Sequence, residues 1–212
     1  YDNSSDIKSQ SYTGTGIVYI DNASNLDAGE HLTIASNFQD SNLLNTNDIN
    51  CSSTLPDDQT LASIWRVDES GDVGTVNLNF VIDQISLSSS NYSSVELLIS
   101  SSSDFSSATT TTGTISCNTL TFTGVNLTDG DYFTLNYSDV QPITWDGTDY
   151  ANGSGTNEAP STLDQGRKLV ILNPSATLTE SASVGCFHIA SGADVTISSG
   201  VELAVQQDIY NL

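Results

Sequence analysis

Cations are nearly missing from this sequence. Lys and Arg together number 4 against 26 Asp and Glu, for a net charge of −22 at pH 7. A nucleic-acid binder must neutralise phosphates with Lys and Arg, and docking on an anionic membrane surface needs the same residues. Neither partner class is expected. Methionine is absent and straight-chain helix formers are scarce, while β-branched residues, Tyr and Phe are interspersed with Ser, Asn, Asp and Gly. That composition predicts an all-β protein. No apolar run approaches the roughly 18 residues of a membrane-spanning helix, so no membrane insertion is expected. Cysteine is also sparse: Cys51, Cys117 and Cys186 form no CxxC pair, and with two His they do not suggest a zinc site. A secreted-style composition predicts one intrachain disulfide, Cys51–Cys117, and one odd thiol, although spacing does not fix the pairing. The sequence opens on YDNSSDIKSQ, with no signal peptide, as a mature secreted protein or an excised fragment would.

What is present is a series of short alternating segments bounded by Gly, Asn, Asp, Ser or Pro. They are GIVYI, EHLTIAS, LASIWRV, GTVNLNFVI, SSVELLIS, GTISCNTLTFTGV and DYFTLNY. Residues 1–16 read as an N-terminal strand or arm, and 17–142 as an antiparallel β-sandwich. Residues 143–212 read as a linker followed by a small β-solenoid or β-roll. There Phe187–Gly192 and Val195–Gly200 share the pattern apolar-x-Ile-x-Ser-Gly, eight residues apart. Short repeated strand-turn units bury their faces only by stacking.

Alternation places Trp65 and Val67 on one strand face and Ile64, Arg66 and Asp68 on the other. Arg66 is expected to pair with Asp68, Glu69 or a carboxylate of the next strand. Asp68 and Asp72 in DESGDVG, and Asp129 and Asp131 in TDGDY, are calcium candidates, because hard cations take oxygen ligands from such turns. The spacing lacks the Glu that completes an EF-hand loop, and Asp-Gly is a turn signal in its own right. No other cofactor is expected. His31 and His188 are the only histidines, neither lies near a GxSxG, and Ser is too abundant for a Ser-His pair to carry information. Catalysis is not expected. Trp145 and Tyr150 are candidates for an aromatic, sugar-stacking face or for packing. The last stretch, ADVTISSGVELAVQQDIYNL, alternates to its end, which makes Val201, Leu203, Val205, Ile209 and Leu212 candidates for assembly through an open strand edge.

Two stretches carry a resemblance. LASIWRVDESGDVGTVNLNFVI with LTFTGVNLTDGDYFTLN resembles a β-sandwich module repeated in large secreted surface proteins of Bacteroidota. ITWDGTDYANGSG, KLVIL and CFHIASGADVTISSGVELAVQQDI are similar to the β-solenoid segment of the same kind of protein. The resemblance implies export to the cell surface and a role as adhesin, stalk or filament, without catalysis. Three functions are therefore carried forward. They are an extracellular filament subunit joining copies of itself head to tail, an adhesin module of a longer surface protein, and a carbohydrate-binding module of a secreted enzyme. Surface glycans are a further partner class.

Overall fold

The computed structural model of the chain describes residues 17–37, 39, 44–45, 49–55, 57–85, 94–151 and 159–212. The expected N-terminal arm, residues 1–16, lies outside them. The strands are β1 (Val18–Asp21), β2 (His31–Ser36), β3 (Asp57–Thr60), β4 (Trp65–Ser70), β5 (Thr75–Val81), β6 (Ser94–Ser100), β7 (Thr109–Thr112), β8 (Thr114–Ser116), β9 (Thr119–Asn126) and β10 (Tyr132–Val140). They continue as β11 (Ile143–Trp145), β12 (Tyr150–Ala151), β13 (Lys168–Ile171), β14 (Ser175–Leu178), β15 (Ala182–Val184), β16 (Cys186–Ile189), β17 (Asp194–Ile197), β18 (Leu203–Val205) and β19 (Ile209–Asn211). The fold is all-β, as the composition predicts.

Two compact units divide the chain. The first falls within residues 1–42, 63–87 and 95–136, and the second within 43–62, 88–94 and 137–212. A single boundary near residue 142 does not anticipate this, because segment 43–62 leaves the first unit to join the second.

The first unit holds two antiparallel sheets, ordered β1-β5-β9-β8 and β2-β4-β10-β6-β7. The period-2 alternation of β4 is realised: Trp65 and Val67 are buried, whereas Arg66 and Asp68 are exposed. Trp65 stacks on Phe133 in the neighbouring strand, with centroids 5.6 Å apart, and meets Phe80 of the other sheet edge-on at 5.5 Å. Phe122 meets Phe80 edge-on at 5.9 Å. These aromatic contacts bridge the two inner faces and form the sandwich core. GTISCNTLTFTGV is a hairpin rather than one strand. Cys117 sits in its turn at φ 51°, between β8 and β9, whose register pairs Ser116 with Thr119.

The second unit winds as a parallel solenoid. β13, β16 and β19 stack in one sheet, β14 and β17 in a second, β15 and β18 in a third. One rung is therefore three strands and roughly 20 residues, a length typical of solenoid repeats. The two Ile-x-Ser-Gly units, eight residues apart in sequence, are not stacked copies. They are adjacent sides of one rung, β16 and β17. The stacked partners are Leu169, Phe187 and Ile209 in one column, and Leu178 with Ile197 in another. β11 extends the first sheet beyond β13, again in parallel, and β12 closes that edge as an antiparallel strand.

Alternate residues of β13 and β16 point out of the solenoid, yet Lys168, Val170, Cys186 and His188 are all buried. Part of the cover is segment 49–55: Ile49 and Cys51 cluster with Cys186. Gly185 lies under that cover. A Cβ there would meet the Ile49 side chain and approach the Gln165 carbonyl oxygen to 2.9 Å. Gly185→Ala is expected to destabilise the chain by about 1–3 kcal/mol, the usual cost of overpacking a closed site, as read from the midpoint of a urea titration.

Candidate functional site

The final rung is where burial fails. Along the column of inward-facing side chains, exposure runs from 0% at Leu169 through 5% at Phe187 to 65% at Ile209. The neighbouring column goes from 3% at Leu178 to 46% at Ile197. Leu212 is exposed beside them, and its amide donates to the Ile189 carbonyl. Val201, Leu203 and Val205 are half-buried and pack against the solenoid core. The five candidates for assembly thus divide: three pack on the core cluster, while Ile209 and Leu212 lie open. Among the described residues β17, β18 and β19 are each paired on one side only, which leaves one rank of backbone amides and carbonyls without a strand.

At the other end of the solenoid, Trp145 and Tyr150 face each other across β11 and β12 with ring centroids 4.8 Å apart. The turn between them is fixed locally. The Asp146 carboxylate accepts the Thr148 and Asp149 amides at 2.8 and 3.1 Å, which holds its pKa below the usual carboxylate range. Gly147 takes a φ of 106°, disfavoured for any side chain. Tyr150 is part of the core cluster and Trp145 packs against it. Trp145 Nε1 and the Tyr150 hydroxyl are buried and have no partner among the described residues, and burial pushes the Tyr150 phenol up. The two rings therefore pack on the first rung and form no flat exposed platform.

The expected disulfide is overturned. Cys51 bonds to Cys186, with Cα atoms 5.6 Å apart, and Cys117 is the free, exposed thiol. Cys117 occupies a hairpin turn of the first unit, whereas Cys51 belongs to the segment laid over β16. The bond closes a loop of 135 residues, and constraining a loop of that order is worth about 4–5 kcal/mol in the chain-entropy account.

Sequence reasoning missed two buried cations at the start of β13. Arg167 is held by the Asp164 carboxylate at 3.1 Å and by the Gln141 carbonyl. Asp164 also accepts the Ser161 amide and hydroxyl. Lys168 Nζ donates to the Leu55 carbonyl at 2.6 Å. The available signal was that two of only four cations stand side by side in GRKLVIL. His188, one column over, stacks on Tyr210 at 5.2 Å, and neither ring nitrogen has a partner among the described residues.

The four calcium candidates are not brought together. Asp131 accepts the Thr128 amide and hydroxyl, Asp129 the Glu69 amide, and Asp72 the Gly74 amide. Asp68 accepts the Thr33 hydroxyl at 3.4 Å and lies 3.9 Å from His31. Each carboxylate serves a local turn or strand pair, and among the described residues no three His, Cys, Asp or Glu converge. Arg66 also departs from expectation: its guanidinium makes no ion pair or hydrogen bond among the described residues. No helix among the described residues is long and apolar enough to cross a membrane.

One family model matches, that of a domain of unknown function, DUF8202, over residues 3–131. The chain belongs to the DUF8202 family. The match ends one residue before β10, so within this DUF8202 protein it takes in most of the sandwich strands and segment 43–62, but not the solenoid. No curated protein and no solved structure matches the chain.

Burial and the Lys168 charge push the His188 imidazole below its ordinary pKa of 6.5. The unfolded chain therefore binds more protons than the folded one as pH falls through 6.5, and stability is lost in that direction. His188→Phe is expected to flatten the fall in urea midpoint between about pH 7.5 and 5.5. A fall as steep as in the wild type would show that His188 is not its source.

Proposed function

We propose that this DUF8202 protein is a non-catalytic extracellular structural protein: the subunit of a bacterial cell-surface filament or stalk, assembling end to end by strand pairing. The observation that supports this is the burial gradient ending at Ile209. An added layer of strands would satisfy the vacant amides and carbonyls of the last rung and cover Ile197, Ile209 and Leu212. Burying one such side chain fully is worth about 1.5–3 kcal/mol. Strand addition supplies the main-chain hydrogen bonds. A heterologous contact of this type, repeated without closing, yields a fibre. The Cys51–Cys186 bond agrees with an oxidising, extracellular setting.

The same gradient supports a second reading, the adhesin module, in which the next rung is supplied by the same polypeptide rather than by a second copy. The two differ in mass. Native material ending near Leu212 fits the subunit, and a longer native chain fits the adhesin.

The purified chain is expected to form elongated particles in negative stain, increasingly so with added salt, because screening weakens repulsion between strongly anionic copies. Ile197→Asp with Ile209→Asp is expected to leave the circular dichroism spectrum unchanged and the particles monomeric. Particles of undiminished length in the double variant would remove the end-to-end reading.

A further inference from the structure

The first unit carries a second feature, on the outward face of its larger sheet. A shallow groove of about 480 Å³ lies there, lined by Ala35, Ser36, Asn37, Ile64, Arg66 and Tyr132. That volume is within the range of small-molecule sites, about 300–1,000 Å³. Arg66 stands in register between Ala35 of β2 and Tyr132 of β10.

An exposed Arg on a chain of net charge −22 would be expected to find a carboxylate of its own, and the nearby ones in sequence are occupied. Asp68 is turned to Thr33 and His31, and Glu69 accepts the Val73 amide. Asp129 accepts the Glu69 amide, and Asp131 caps the Thr128 turn. The guanidinium is thus presented to the groove with its five donors unclaimed among the described residues.

We propose that this groove binds a carboxylate-bearing sugar. The Arg66 fork would take the carboxylate and Tyr132 would lie against the apolar face of the ring. A planar guanidinium matches a carboxylate with two parallel hydrogen bonds, and an aromatic ring offers flat apolar area with a polar rim. A single acid group is the right charge, because the surrounding field repels polyanions. A peptide strand fits less well. The floor of the groove is β4, whose main chain is paired with β2 on one side and β10 on the other, so no edge is left for strand addition. The site lies in a different unit from the last rung and does not depend on the assembly reading.

The test is amide chemical-shift titration of the full chain with D-glucuronate, D-glucose and N-acetylalanine at physiological salt. Glucuronate is expected to shift the β2, β4 and β10 amides around Arg66 and to bind about 10-fold or more tighter than glucose, the contribution of a charge-assisted contact. Arg66→Ala should abolish that preference, and Arg66→Lys should retain only part of it. Both variants alter an exposed side chain, and an unchanged spectrum elsewhere verifies the fold. Equal binding of glucose and glucuronate, an undiminished preference in Arg66→Ala, or N-acetylalanine binding as tightly as glucuronate would each overturn the proposal. The last result would assign the groove to peptide carboxylates.

Discussion

A solenoid rung cannot bury its own inward side chains. Each strand is only three or four residues long, and the apolar residues it turns inward are covered chiefly by the layers above and below. That dependence organises the second unit. Leu169 is sealed because Ile143 and Phe187 lie on either side of it in the stack. Phe187 is sealed on one side by Leu169 and only partly on the other by Ile209. Among the described residues no strand stacks on the far side of Ile209, and the deficit passes to that layer. It takes the form of both exposed apolar area and unpaired main chain. Either deficit alone is common at a protein surface. Their coincidence at the end of one stack makes this end the place where another layer of strands would be most stabilising.

The outward side of the same strands poses the opposite problem. Lys168, Cys186 and His188 alternate out of the solenoid core, where they would ordinarily meet water. Residues 49–55 lie against part of this side and are tied down by the Cys51–Cys186 bond and by the Lys168 contact with the Leu55 carbonyl. Lys168 and His188 are both buried on this side, on neighbouring strands. The lysine has a carbonyl partner. The histidine has a ring to stack on and no hydrogen bond among the described residues, which is why its neutral form is favoured. The cover is thus held by a covalent bond on a side where one buried polar group, His188, gains no hydrogen bond among the described residues.

Much of the first unit was legible because its signals are local. Trp-x-Val in β4 and the aromatic residues of β5, β9 and β10 obey a period of two, and burying them requires a second sheet. The solenoid was legible as a class but not in its dimensions. β16 and β17 carry the same short pattern because each is a strand with one inward face, and sequence similarity does not reveal whether two such strands stack or follow one another around a corner. Rung length is set by the corners, where Gly192 and Gly200 adopt positive φ. The disulfide failed for a different reason. Pairing depends on where residues 49–55 dock, and nothing within that polar segment announces its destination. Arg66 was expected to be quenched by proximity in sequence. Glu69 and Asp131 accept backbone amides within four residues of themselves, which costs less conformational freedom than reaching along a strand to a long side chain, while Asp68 and Asp129 are drawn to Thr33 and to the Glu69 amide.

Charge ties these observations together. With 26 carboxylates and 4 Lys and Arg, each cation is surrounded by candidate partners, so where a cation ends up is a matter of geometry rather than supply. Arg167 is buried on Asp164 and Lys168 is buried on a carbonyl, both within the second unit. Arg66 is left at the surface in a groove whose neighbouring carboxylates point elsewhere. Such a chain repels its own copies at long range, and salt shortens the reach of that repulsion to about 8 Å at physiological strength. Any contact between copies, as the proposed assembly requires, would then rest on forces that act at closer range than this: apolar burial and main-chain hydrogen bonds. The last rung offers those two and no exposed lysine or arginine. A surface bearing this much charge selects against non-specific association, and on the end-to-end reading proposed above the exposed apolar side chains and unpaired main chain of the last rung are where short-range attraction would act.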